Sequence, residues 1–268
     1  AMLWGARASG NSILAEIADR TWDFPRLSAL PPWTMTWGKL FGGSSLAWMC
    51  ALTGLLMMVI AGVVGGVVGL GVTVIFMLAL AVLLQAVSLG AALIGVRKAR
   101  AEGRTARASG VLGGLIIGAI LLSWVAGSAG FQRGMGTEGF GALFSANGMV
   151  DWGGRLWPAA GFRALALSLF AAWAVVGAWR LMRLELQMQN APVVWPAFLI
   201  FLAIFAGGFM LRTQGLAAGL AVGSLVVALS AYAAAFAEPA DRVRLRQFVQ
   251  FVGKGDLARA APLTPAPL

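Results

Sequence analysis

The chain has 268 residues, is 60% hydrophobic and only 11% charged, and carries a formal net charge of +10 with no histidine. A soluble domain has roughly 45–50% apolar and about 25% charged residues, so this composition excludes an ordinary water-soluble globule. The missing histidine removes the commonest general base and metal ligand, and a single cysteine, Cys50, excludes an intrachain disulfide.

In chain order, the first ten residues, AMLWGARASG, lack a charged stretch followed by an apolar run, so no signal peptide is read there. Residues 16–39 form the longest amphipathic stretch outside the apolar runs. Ser12 is placed to cap a helix that includes Ala15 and Glu16. Pro25, Pro31 and Pro32 then predict short helical pieces. Trp22, Phe24, Leu27, Trp33 and Trp37 supply an apolar face, and Arg20, Asp23 and Arg26 a polar one. Two compatible readings follow: an elbow lying on the inner leaflet, or an element that docks into a groove on a cytoplasmic partner. Lys39, at the membrane boundary, is expected to snorkel toward headgroups.

Six apolar runs follow, at 46–68, 72–95, 111–129, 163–182, 194–211 and 215–237. Each is long enough for a helix to cross about 30 Å of hydrocarbon. The predicted fold is therefore an all-α polytopic bundle of six transmembrane helices, because lipid forces backbone groups to be satisfied within the chain. Residues 69–71 predict a tight turn between the first two spans, and 212–215 another between the last two. Cys50, at the start of the first run, reads as a buried structural thiol.

Lys and Arg in the connections set the orientation. One side, residues 1–45, 96–110, 183–193 and 238–268 together with Arg180, holds sixteen of them, and the other holds only Arg133, Arg155, Arg163 and Arg212. The first side is therefore read as cytoplasmic, with both ends of the chain inside, as six spans require. This gives three regions: a cytoplasmic amphipathic elbow (1–45), a transmembrane domain (46–237) with an external loop (130–162), and a cytoplasmic tail (238–268). The external loop is rich in glycine and carries Phe131, Phe140, Phe144, Trp152 and Trp157. It reads as a segment in the outer interface or as a lid over a substrate path. In the tail, Val243, Phe248, Phe251 and Val252 alternate with basic residues, which predicts an amphipathic helix attracted to anionic lipid; the last stretch is Pro-rich.

The spans contain almost no ionisable side chains, so no proton relay or intramembrane hydrolytic pair is visible. Gln85 is the most polar deep residue, read as an interhelical hydrogen bond or a substrate ligand. Glycines four apart, including Gly62/Gly66, Gly215/Gly219 and Gly219/Gly223, allow close helix approach within the chain or in a dimer. The basic residues form no stripe interleaved with aromatics, which argues against nucleic acid. Neither Gly38-Lys39 nor Gly253-Lys254 completes the G-x-x-x-x-G-K-[ST] loop that cradles nucleotide phosphates. The chain is expected to need no cofactor or metal and to have no catalytic residue of its own.

The order of a polar elbow feeding a helix bundle resembles the membrane-spanning subunits of ABC-2-type transporters. In that family an element reading roughly E-x-x-R-G-T-x-E-x-L, then P-x-S and G-K, precedes a membrane helix. The similar positions here are Glu16, Arg20, Thr21, Asp23, Leu27, Ser28, Pro31, Pro32, Gly38 and Lys39. The resemblance implies that Glu16, Arg20, Thr21, Asp23, Leu27 and Ser28 meet a cytoplasmic ABC ATPase subunit, and that Gly38 and Lys39 lie where the chain enters the membrane. It further implies a second permease subunit, identical or not, a bacterial inner-membrane location, and export of a hydrophobic or amphipathic substrate. The alternative is a non-transporting membrane scaffold whose elbow recruits a cytoplasmic partner.

Overall fold

The computed structural model describes residues 2–19, 21, 22, 24, 30–101, 148–188, 193–237 and 242–255. The elements are α1 (Met2–Ala18), α2 (Pro32–Trp37) running into a π-helical segment (Gly38–Gly42), α3 (Ser45–Val64) and α4 (Leu70–Ala101). A two-stranded hairpin, β1 (Met149–Trp152) and β2 (Arg155–Pro158), precedes α5 (Ala159–Glu185), α6 (Val194–Gly207), α7 (Gly215–Ala237) and α8 (Arg242–Gly253). Helices α1–α5 make one compact unit. The hairpin residues 149–157 and helices α6–α8 make the other.

Among the described residues, four helices are long and apolar enough to cross a bilayer: Ser45–Val64, Leu70–Arg97, Ala159–Glu185 and Gly215–Tyr232. The chain is a mostly helical, membrane-embedded protein. The expected span at 111–129 lies outside the described residues. The expected span at 194–211 is shorter than its composition suggests. Its helix runs only over Val194–Gly207, about 21 Å at 1.5 Å per residue, and residues 208–214 turn.

In the first unit, α4 is the central post, packed against α1 and α5. The core gathers Ile13, Trp22, Leu40, Leu89, Leu93, Val96, Val175, Leu181 and Met182. Small residues let α1 approach: Gly5, Ala6, Ser9 and Gly10 are buried, and a Cβ on Gly5 would stand 2.8 Å from Gln85 Nε2. Ser12 is therefore not the helix cap that its neighbours suggested. It lies inside α1, where its hydroxyl donates to the Ser9 carbonyl at 2.7 Å. Helix α3 buries only Ala47 and Gly62 and exposes Leu46, Met49, Leu56, Met57, Ile60 and Val63, as expected of a helix surrounded by hydrocarbon. Cys50 is exposed on it rather than buried. The turn to α4 begins earlier than glycines 69–71 predicted, because Gly66 and Gly69 adopt left-handed φ of 64° and 84° and Val67 N donates back to the Gly62 carbonyl.

In the second unit, α6 and α7 approach backbone to backbone. A Cβ on Gly207 would lie 2.6 Å from the Gly219 carbonyl oxygen, and one on Gly223 would lie 2.9 Å from that of Ala203. The glycine spacing thus serves packing inside the chain at these positions. Trp195, Phe198, Phe201, Phe205 and Phe209 form a run of ring contacts along α6 and just beyond it, at centroid separations of 5.5–6.3 Å.

Candidate functional site

The elbow begins where α1 ends. The Glu16 carbonyl accepts hydrogen bonds from Thr21 N (2.9 Å), Thr21 Oγ1 (3.2 Å) and Trp22 N (3.2 Å), so the chain folds tightly over the helix end. These bonds satisfy an acceptor that has no intrahelical partner. Helix α2 then starts at Pro32, whose fixed φ suits a first turn, after Pro31 in extended conformation. The π-helical segment follows without a break, and Ser44 Oγ donates to the Leu40 carbonyl at 2.5 Å.

This path lays the π segment against α1. A Cβ on Gly43 would stand 2.8 Å from that of Ser12, and Ser9 Oγ reaches the Lys39 carbonyl at 3.5 Å. It also brings the Lys39 ammonium onto the Glu16 carboxylate. The Lys39 side chain keeps 14% of its exposure and that of Glu16 keeps 32%. The ammonium also sits 5.8 Å from the centroid of the buried Trp22 ring. Lys39 thus clamps the elbow, its ammonium held between the Glu16 carboxylate and the Trp22 ring. Glu16 Oε2 and Trp22 Nε1 are buried and lack a hydrogen-bond partner among the described residues.

Of the other residues expected here, Thr21 is exposed and bonded to Glu16, and Gly38 is exposed with open space around it. Arg20, Asp23, Leu27 and Ser28 lie outside the described residues.

A set of aromatic contacts runs from the elbow into the helices. Trp33 meets Trp37 edge-on (5.5 Å), Trp37 stacks on Phe41 (5.3 Å), and Phe41 meets Trp48 (5.0 Å). Trp48 Nε1 donates to Gln85 Oε1 at 3.0 Å, and Ser44 Oγ, whose proton goes to the Leu40 carbonyl, lies 3.2 Å from the same oxygen. Gln85 is thus an interhelical hydrogen-bond acceptor that ties α3 to α4. On the other flank Trp33 packs edge-on against Trp179 of α5 (6.0 Å), whose ring carries the Arg183 guanidinium at 5.1 Å. The elbow is therefore keyed to α3 and α5 by rings that are worth about 0.5–1.5 kcal/mol per pair beyond their burial, and through Trp48 to Gln85 of α4. The four-residue spacing of Trp33, Trp37 and Phe41 carries this signal in the sequence, since positions four apart share a helix face.

Beside this contact set, an apolar groove of about 230 Å3 is lined by Met2, Trp48, Leu55, Met58, Met77 and Ala81. No group of His, Cys, Asp or Glu able to hold a metal occurs among the described residues.

In the second unit, the described part of the long loop is a β-hairpin seated on the α6–α7 turn. Trp152 Nε1 donates to the Phe205 carbonyl at 2.9 Å, and Gly153 N to that of Gly208 at 3.0 Å. Asp151 faces Arg212 at 3.5 Å. The Trp152 ring fills the space over Gly208, where a Cβ would meet Nε1 at 2.3 Å. The hairpin thus takes one carbonyl of the last turn of α6, that of Phe205, and one just beyond it, that of Gly208, while the Ile204 and Gly207 carbonyls accept from Gly208 N and Met210 N as the chain turns. No protein-family model matches the chain, and neither a curated protein nor a solved structure gives a significant match.

Proposed function

We propose that this chain is the membrane-spanning subunit of an ATP-driven transporter of the ABC-2 class. Its elbow receives the motion of a separate cytoplasmic ATPase subunit. The observation that carries this reading is the clamp of Lys39 on Glu16 and Trp22, continued by the Trp33, Trp37, Phe41 and Trp48 contacts into three helices. A displacement imposed at Lys39 or Trp33 is passed by these contacts to α3, to α4 through Gln85, and to α5 through Trp179.

In this reading ATP hydrolysis belongs to the partner, and a second permease subunit completes the pathway. The chain lies in a bacterial inner membrane with both ends cytoplasmic, as its sixteen-to-four distribution of Lys and Arg supports. Few charged groups lie in the spans, which suits a hydrophobic or amphipathic substrate moved outward.

The test is a mild-detergent purification of the tagged full chain from its own host, with mass spectrometry of what accompanies it. A stoichiometric P-loop ATPase is expected. Its reproducible absence with the chain intact overturns the transporter reading and favours a scaffold. Thr21→Ala combined with Asp23→Ala is then expected to leave folding intact and remove transport-linked ATP turnover.

A further inference from the structure

The coupling reading leaves α8 (Arg242–Gly253) unused. Its register is strongly two-faced. Leu245, Phe248, Val249 and Val252 recur at i, i+3, i+4 and i+7 along one arc, Arg242 borders that arc beside Val249, and Arg246, Gln247 and Gln250 lie on the far side. Val249 and Val252 remain 61% and 45% exposed, so at these two positions the described residues leave the apolar arc uncovered. From 242 to 254 the chain carries Arg242, Arg244, Arg246 and Lys254 and no acid; Asp241 and Asp256 lie beyond the helix ends. The helix also ends sharply. Gly255 takes a left-handed φ of 72°, and Lys254 N and Gly255 N return to the Gln250 and Val252 carbonyls.

Two physical facts select the occupant of that face. An isolated helix shorter than about 12–15 residues is marginal in water, so a helix of this length needs a surface to lie on. The tether is also short. Helix α7, which carries the candidate span Gly215–Tyr232, closes at Ala237, and only residues 238–241 separate it from Arg242. At about 3.3–3.6 Å per residue, that link reaches no more than roughly 18 Å. The start of α8 therefore stays beside the bilayer face at which α7 ends. The surface always within reach is the headgroup layer, and the basic residues match an anionic one.

We propose that α8 is a membrane-surface helix that binds anionic lipid, with positions 245, 248, 249 and 252 at the acyl boundary and its basic positions at the headgroups. This rests on α7 crossing a bilayer and is independent of the ATPase reading.

The test uses the full chain in nanodiscs. On a Cys50→Ser background, Val252→Cys or Gln250→Cys carries an environment-sensitive fluorophore. With phosphatidylglycerol present, the probe at 252 is expected to shift to the blue and be quenched by a lipid-borne quencher, while the probe at 250 stays in water. High salt or phosphatidylcholine alone should release it. Arg242→Gln with Arg246→Gln should weaken the seating roughly thirtyfold, since each basic side chain near an anionic surface contributes about a factor of five. Two results overturn the proposal: both probes in water with phosphatidylglycerol, or a probe at 252 shielded equally in phosphatidylcholine and at high salt. The salt and lipid comparisons use the native arginines, so a poorly folded arginine variant does not decide the matter.

Discussion

Lys39 lies 23 residues beyond Glu16, yet its ammonium closes on the Glu16 carboxylate above the face of Trp22. The contact joins the end of α1 to the segment that leads into α3, and it fixes the elbow between them. Neither group is fully buried, so its value falls between that of an exposed pair and that of a desolvated one.

Lys39→Met strands the carboxylate, whose Oε2 already lacks a hydrogen-bond partner among the described residues. The expected loss is about 1–3 kcal/mol, between the small value of surface pairs and the larger cost of breaking buried ones. It should appear as a lower melting temperature in detergent. Adding Glu16→Gln removes the stranded charge and should recover part of the loss. If the two single losses simply add in the double variant, the pair contributes no coupling.

Gln85 offers a second check, deeper in the same unit. Its Oε1 accepts from Trp48 Nε1, and the residue is 3% exposed. Gln85→Leu leaves the indole N–H without this acceptor at a cost of about 1–3 kcal/mol, whereas Trp48→Phe removes the donor and should cost less. A thermal melt in which Gln85→Leu matches the unaltered chain would show that the bond does not hold α3 to α4.

What could be read from the sequence follows from the range of the interactions. The apolar runs at 46–68, 72–95, 163–182 and 215–237 identified the long helices to within a few residues, because hydropathy is local. The tail helix was legible for the same reason. The Lys39–Glu16 clamp was not, although both residues were singled out, because pairing across 23 positions depends on how the chain folds back on α1. Ser12 looks like a cap by its neighbours, but the helix runs through it from Met2 to Ala18 and packs along α4, with Gly5 against Gln85. The composition of 194–211 likewise does not show where α6 stops. Nor does it show that Trp152 and Gly153, more than forty residues away, bond to the Phe205 and Gly208 carbonyls there.

The seat of the hairpin separates two kinds of contact. Arg212 is 51% exposed, so Arg212→Gln should change stability by less than about 1 kcal/mol. Trp152→Ala removes the ring packed over Gly208 and the bond to the Phe205 carbonyl, with an expected cost of about 3–5 kcal/mol if the site is fully packed and less if it relaxes. Limited proteolysis of the hairpin in detergent should show rapid cleavage for Trp152→Ala and little change for Arg212→Gln. Equal protection of both variants would place the anchoring elsewhere.

Glycine substitutions test the helix packing by the sign of their effect. Gly219 approaches the Gly207 carbonyl so closely that an added Cβ would lie 2.9 Å from its oxygen. That atom belongs to backbone and cannot rotate away, so Gly219→Val must separate α6 from α7. Overpacking of this kind costs typically 1–3 kcal/mol. Gly54, in the middle of α3, has nothing within 4 Å of its Cβ position. Replacing a helix-interior glycine by alanine at an open site favours the helix by up to about 1 kcal/mol, so Gly54→Ala should be neutral or stabilising. The two variants, melted side by side in detergent, should move in opposite directions or differ by several degrees. A destabilising Gly54→Ala together with a neutral Gly219→Val would reverse the assignment, placing the close helix contact on α3 rather than between α6 and α7.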